Sequence, residues 1–196
     1  MTGAAQLILA SASPRRRELL AQIGIACRVC MVDVDEALRP GEAPEAYVRR
    51  LALDKARAGW RRCGSGGNGP ALGADTAVVL NGRIFGKPVE AEAAREMLAA
   101  LSGRTHEVLT AVAVVRGAEE VEALSRSRVT LRRIAPAEAS AYGASGEPLD
   151  KAGGYAIQGF GAVFVEHLDG SYSGVMGLPL YETAQMLAGL GIGLPA

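Results

Sequence analysis

The chain alternates apolar and polar stretches with periods that change from strand to helix. Gln6–Ala10 is a short apolar run that reads as a buried strand. Ser13 then stands at an N-cap position, Pro14 at the first helical position and Gly24 at a C-terminal stop, with Leu19, Leu20 and Ile23 on one helical face. Ala26–Val32 reads as a second strand that runs into the acidic segment Asp33–Glu36. The spacing of Val48, Leu51, Ala52, Ala56 and Gly59 predicts a helix over about Glu45–Arg62, and Lys55 lies on that same apolar stripe. A glycine-rich connector, Gly64–Pro70, leads to the apolar strand Ala71–Leu80, which Asp75 and Thr76 interrupt. Asn81-Gly82 predicts a hairpin into Arg83–Phe85. Glu90–Leu101 carries Ala94, Met97, Leu98 and Leu101 at helical spacing and stops at Gly103. Val108–Val115 and Val121–Leu131 read as long paired strands, and Pro136–Tyr142 as a short helix. Asp169-Gly170 predicts a hairpin between Ala162–Leu168 and Ser171–Val175, and Pro179 starts a last helix that buries Leu180, Ala184 and Leu187. Hairpins mixed with crossovers predict an α/β fold with a mixed sheet.

Composition narrows the function classes. A length of 196 residues with 49% hydrophobic content suits a single packed domain over the whole chain, 1–196. Lysine plus arginine equals aspartate plus glutamate at 21 each, so no global field favours nucleic acid or a membrane surface. No apolar run approaches the length of a bilayer span, and no basic residue precedes the first apolar run as a signal peptide requires. Three cysteines, an odd number, fit a reducing cytoplasm better than a disulfide scaffold. Cys27 and Cys30, three apart on a strand, face opposite sides and read as core residues, not as a redox or zinc pair. With only His106 and His167 present, a histidine-rich metal site is excluded.

The candidate chemistry begins at Arg15, Arg16 and Arg17, which stack positive charge on a helix start that already carries it. Free N–H groups at a helix start bind anions, so Arg15 and Arg16 fit a phosphate, with Ser11 and Ser13 as hydroxyl donors; Arg17 reads as solvated. Asp75 inside an apolar strand needs a cation, a proton to accept, or backbone donors at a strand end. Asp35 and Glu36 offer further carboxylates, either as a solvated acidic loop or, with phosphate oxygens, as a Mg²⁺ or Mn²⁺ site. Gly82–Pro88 is no Walker A loop, because Pro88 stands where Ser or Thr is required; Lys87 is a phosphate contact or an exposed turn lysine. Lys55 faces a phosphate or lays its stem along the apolar stripe. Gln158, among glycines in Asp150–Gly161, presents a donor and an acceptor suited to a base edge, in what is otherwise a glycine-rich turn.

Taken together, ASASPRR, the DVDE and LALDKARAG pair, GADT, GKP, SGRTHEV, EPLDKAGGYAIQG and GSYSGVMGLPL resemble the Maf family of nucleoside triphosphate pyrophosphatases. The resemblance implies an α/β fold similar to inosine triphosphate pyrophosphatases: a long bent mixed β-sheet flanked by helices, with two lobes around a nucleotide cleft. It implies water attack on the α-phosphorus of a nucleoside triphosphate substrate, a divalent cation, and a homodimer. By that resemblance Asp75 is the catalytic proton acceptor, Glu36 joins it at the metal, and Ser11, Ser13, Arg16, Lys55 and Lys87 form the phosphate cradle. Arg15, Thr76 and Gln158 occupy the three places at which subgroups differ in base preference, and this set resembles the dTTP and UTP subgroup, not the 7-methyl-GTP one. Gly154 and Ala156 stand where close relatives often have Ala and Gly. Two further readings follow: housecleaning of modified nucleotides, and a non-catalytic nucleotide-binding regulator of septum formation, which would keep Arg15 and Arg16 but give Asp75 no job.

Overall fold

The computed structural model describes residues 7–64 and 69–193, so Gln6 of the predicted first strand and residues 65–68 of the connector lie outside the described residues. The chain forms two compact units. The first comprises the residues up to Asp75, Thr110–Ser125 and Gly177 onward; the second comprises Thr76–Leu109 and Arg126–Met176.

In the first unit, β1 (Leu7–Leu9) is fully buried and pairs in parallel with β2 (Cys27–Val29) and with the start of β3 (Ala71–Leu80). β2 is an edge strand shorter than the expected Ala26–Val32, and among the described residues its ladder with β1 closes at Val29, opposite Leu9. Helix α1 (Pro14–Gln22) buries Leu19 and Leu20, and Gly24, at φ +72°, ends it as read from the sequence. Helix α2 (Pro44–Gly59) buries all five predicted stripe residues, Val48, Leu51, Ala52, Ala56 and Gly59. It is shorter than expected because its end loosens into a π turn, Trp60–Gly64, whose Trp60 packs against buried Ile8, Cys30 and Ala71. Cys63 of that turn is bonded to Cys30, 33 residues earlier. This corrects the expectation of free thiols: Cys30, just after β2, and the π turn pack on the same small core, which the sequence separation conceals.

In the second unit the remainder of β3 turns through Asn81 (φ +52°) and Gly82 (φ +77°) into β4 (Arg83–Phe85), the predicted hairpin. Helices α3 (Ala91–Leu101) and α4 (Pro136–Ala144) pack on a core that includes Val78, Leu98, Leu101, Tyr142 and Phe164. Strands β5 (Thr105–Arg116) and β6 (Glu119–Leu131), like β3, contribute residues to both units. β7 (Val165–Asp169) pairs antiparallel with β6. The sheet order is β2-β1-β3-β5-β6-β7, with β4 on β3, so the sheet is mixed as expected.

The hairpin expected at Asp169-Gly170 is absent. Ser171 Oγ accepts the Gly174 N–H at 2.9 Å and starts helix α5 (Tyr172–Met176). A hydroxyl there satisfies a donor that a strand would have offered to a ladder. The last helix, α6 (Leu180–Gly189), begins after Pro179 but buries Thr183 and Leu187, leaving Leu180 and Ala184 half-buried. Among the described residues no helix is long and apolar enough to cross a membrane.

Candidate active site

The arginine cluster lies in the first turn of α1, as the sequence placed it. Ser13 is the N-cap, as expected, with extended backbone, but its side chain makes no capping bond. Buried Ser11 does the local work instead: its Oγ accepts the Ser13 N–H at 3.2 Å and Arg16 Nη1–H at 3.1 Å. Arg16 Nε donates to the Gly177 carbonyl at 2.9 Å. Both acceptors are neutral, so no carboxylate bonds Arg16 directly among the described residues. Burial, the strongest influence, pulls the Arg16 pKa below its ordinary value; the charges of Asp75 and Glu36 oppose that pull and the Arg15 charge adds to it.

Asp75 has the cation its strand context demanded. Lys55 Nζ donates to Asp75 Oδ1 at 2.7 Å and lies 2.7 Å from Glu36 Oε1. The side chains of Lys55 and Asp75 are each 12% exposed, against 55% for Glu36, so the pair is sheltered while Glu36 opens to solvent. The approach of α2 to β3 depends on Gly73. A Cβ there would collide with the Ala52 carbonyl oxygen, lie 2.5 Å from Ala56 N and reach within 3.0 Å of Lys55 Cβ. A glycine inside an apolar strand is the sequence signal for such an approach.

Helix α2 also holds the loop that carries Glu36. Tyr47 Oη donates to the Glu36 carbonyl at 3.1 Å. Arg50 donates to the carbonyls of Asp35 (3.3 Å) and Ala37 (3.0 Å) and grips Glu42 through both carboxylate oxygens at 2.6 and 2.8 Å. The Arg50 hydrogen bonds hold the Glu42 pKa down at about 2. Burial, followed by the Asp75 and Glu36 charges, pushes the Tyr47 phenol up. Asp35 turns inward on its own loop, accepting the Ala37 N–H at 2.9 Å.

The donor set fits a hard divalent cation. Glu36 and Asp75 supply two carboxylate oxygens that already converge on one ammonium nitrogen. No group of three or more His, Cys, Asp or Glu side chains stands ready to hold a metal among the described residues. Two carboxylates completed by water and phosphate oxygens are what Mg²⁺ or Mn²⁺ takes in nucleotide sites.

The remaining predicted residues belong to the second unit. Thr76, the next residue of β3, is half-buried. Lys87 is exposed after β4, and its turn is tied down by the Gly153 N–H donating to the Gly86 carbonyl at 3.0 Å. Gln158 is exposed, just ahead of the 3₁₀ turn Phe160–Phe164. Tyr47, Arg50, Gly73 and Gly177 are contributors that sequence reasoning did not single out.

Residues 6–190 match the family model described as Maf-like protein. Curated relatives include a dTTP/UTP pyrophosphatase of Methylococcus capsulatus, 58% identical over 188 residues, covering 96% of this chain and 92% of the relative. A dTTP/UTP pyrophosphatase of Chromobacterium violaceum is 51% identical, covering 99% of each chain. One of Saccharophagus degradans is 54% identical, covering 93% of this chain and 88% of its own. Among solved structures, the Staphylococcus aureus Ham1 protein is similar at 16% identity and a TM-score of 0.43, covering 64% of this chain and 71% of that one.

Proposed function

The chain belongs to the Maf-like protein family, and from that premise we propose that it hydrolyses dTTP and UTP to the nucleoside monophosphate and pyrophosphate. The observation that carries the reading is a half-buried arginine, hydrogen-bonded among the described residues to the neutral oxygens of Ser11 and Gly177, that feels the charges of Asp75 and Glu36 around Lys55. A guanidinium held in place by neutral acceptors can still take a strong anion, and a triphosphate is one.

In this mechanism Arg16, with Arg15 and the start of α1, receives phosphate oxygens, and Ser11 fixes the direction of the Arg16 fork. Ser13 and Lys87 complete the phosphate contacts. Asp75 accepts the proton of the attacking water, and Lys55 holds the carboxylate in place for it. Glu36 and Asp75 would hold a Mg²⁺ or Mn²⁺ ion, whose chemistry is to offset phosphate charge and acidify bound water. Arg15, Thr76 and Gln158 select the base. Most of the rate gain is electrostatic, from cations fixed before the negative charge develops.

The test is a product assay with dTTP, UTP, CTP, 7-methyl-GTP, ATP and GTP, with Mg²⁺ or Mn²⁺, beside Asp75→Asn. Monophosphate plus pyrophosphate, fastest for dTTP and UTP, is the expected result. The Asp75→Asn variant, folded, loses at least about 100-fold in turnover, the usual worth of a general base. Near wild-type turnover in that variant removes Asp75 from the mechanism. Nucleotide binding by folded protein without turnover of any substrate points to a regulatory binder instead.

A further inference from the structure

The loop that carries Gln158 is held by one carboxylate. Glu147 Oε1 accepts the Tyr142 hydroxyl at 2.8 Å and the Gly161 N–H at 2.9 Å, and its Oε2 accepts the Phe160 N–H at 3.0 Å. Tyr142 Oη in turn accepts the Ala156 N–H at 3.0 Å. The fixed N–H groups therefore lie two residues before Gln158 and two and three residues after it. The chain passes this close because two glycines lack side chains. A Cβ on Gly159 would sit 2.6 Å from Glu147 Oε1, and one on Gly161 would sit 2.6 Å from Tyr142 Oη. Burial works to raise the Glu147 pKa, yet the Gly161, Phe160 and Tyr142 hydrogen bonds bring it below its ordinary value, so the acceptor stays ionised. Tyr142 is itself buried and packs edge-on against Phe164.

These contacts exceed what a surface turn needs. A glycine-rich loop has large conformational freedom, and an amide that discriminates between bases must be held to within about 0.5 Å. Gln158 is the exposed amide at the middle of the clamped stretch.

We propose that Glu147 and Tyr142 are positioning residues for base selection, acting on Gln158 through the backbone N–H groups of Ala156, Phe160 and Gly161. The proposal rests on the reading of Gln158 as a base-facing residue. The experiment measures kcat and KM for UTP and CTP in the wild type, Glu147→Gln, Tyr142→Phe, Gln158→Ala and the double variant Glu147→Gln/Gln158→Ala, each checked for folding by circular dichroism. Glu147→Gln keeps the volume but turns a donor toward the N–H groups, and Tyr142→Phe releases Ala156. The UTP:CTP ratio of kcat/KM is expected to fall about tenfold in each clamp variant, the scale of one misplaced hydrogen bond. The double variant loses no more discrimination than Gln158→Ala alone, because both changes act on one group. Equal loss of activity toward UTP and CTP, additive with Gln158→Ala, would overturn the proposal and leave a structural role. Should Glu147→Gln not fold, Tyr142→Phe decides alone. A ratio unchanged in Gln158→Ala refutes the reading of Gln158; a ratio that falls there but not in the clamp variants refutes only the clamp.

Discussion

Lys55 meets Asp75 and Glu36 because residue 73 has no side chain. Gly73→Ala pushes α2 away from β3, and overpacking of this kind costs about 1–3 kcal/mol. The expected outcome is a lower urea midpoint together with a turnover loss that added divalent cation does not restore. Asp75 was legible in the sequence as a carboxylate out of place in an apolar strand, and Lys55 as a lysine on an apolar stripe. Their pairing was not, because nothing in spacing says which elements meet. Gly177 and the carbonyls held by Arg50 were illegible for a different reason: contacts made by backbone atoms leave no mark in residue type. A second residue, His106, carries a pH dependence. It is buried, its Nε2 lies 2.8 Å from the Tyr155 hydroxyl, and its Nδ1 has no partner. Burial brings its pKa from 6.5 to about 4. Between those values the unfolded chain binds the extra proton, so this stability is complete above about pH 6.5 and is lost as pH falls toward 4, about 2 kcal/mol of it by pH 5. Urea titrations at pH 7 and pH 5 are expected to show His106→Gln losing less stability on acidification than the wild type, by that amount; an equal loss in both contradicts the assignment.

Among the elements, α2 does most to build the site. One face fills the core, Lys55 reaches β3, and Tyr47 and Arg50 hold the 35–42 loop. Arg50→Met removes four hydrogen bonds from that loop and none from the helix backbone. Hydrogen exchange is therefore expected to speed up at residues 35–42 while the buried amides of α2 stay protected. Equal exchange at the loop in both proteins would show that Arg50 does not hold it. Helices were the most legible elements, since a buried stripe repeats over several turns, and the α2 stripe was read residue for residue. Short elements were not. Asp169-Gly170 is a sound turn signal, but Ser171 uses its hydroxyl to start a helix where alternation suggested a strand. The Cys30–Cys63 bond joins the residue after β2 to the π turn after α2, and the packing of both on one small core brings them together.

At the scale of the whole molecule, the border between the two units crosses three strands as well as the connection from α5 to α6, at Met176–Gly177. The strand crossings fall between Asp75 and Thr76, Leu109 and Thr110, and Ser125 and Arg126. Those positions lie inside β3, β5 and β6, where no glycine- or proline-rich stretch marks a break in the chain. The glycine-rich connector, too short to prove a boundary from sequence, has both its ends, Gly64 and Pro70, in the first unit. Net charge is likewise uninformative: 21 basic and 21 acidic residues cancel, and the attraction for a triphosphate comes from where a few cations are held. The proposed function turns on water attack at the α-phosphorus. Hydrolysis of UTP in ¹⁸O-water, with the products resolved by mass spectrometry, tests it most directly. One ¹⁸O in the uridine monophosphate and none in the pyrophosphate is the expected result. Label in the pyrophosphate, or release of labelled orthophosphate, would place the attack at another phosphorus and contradict it.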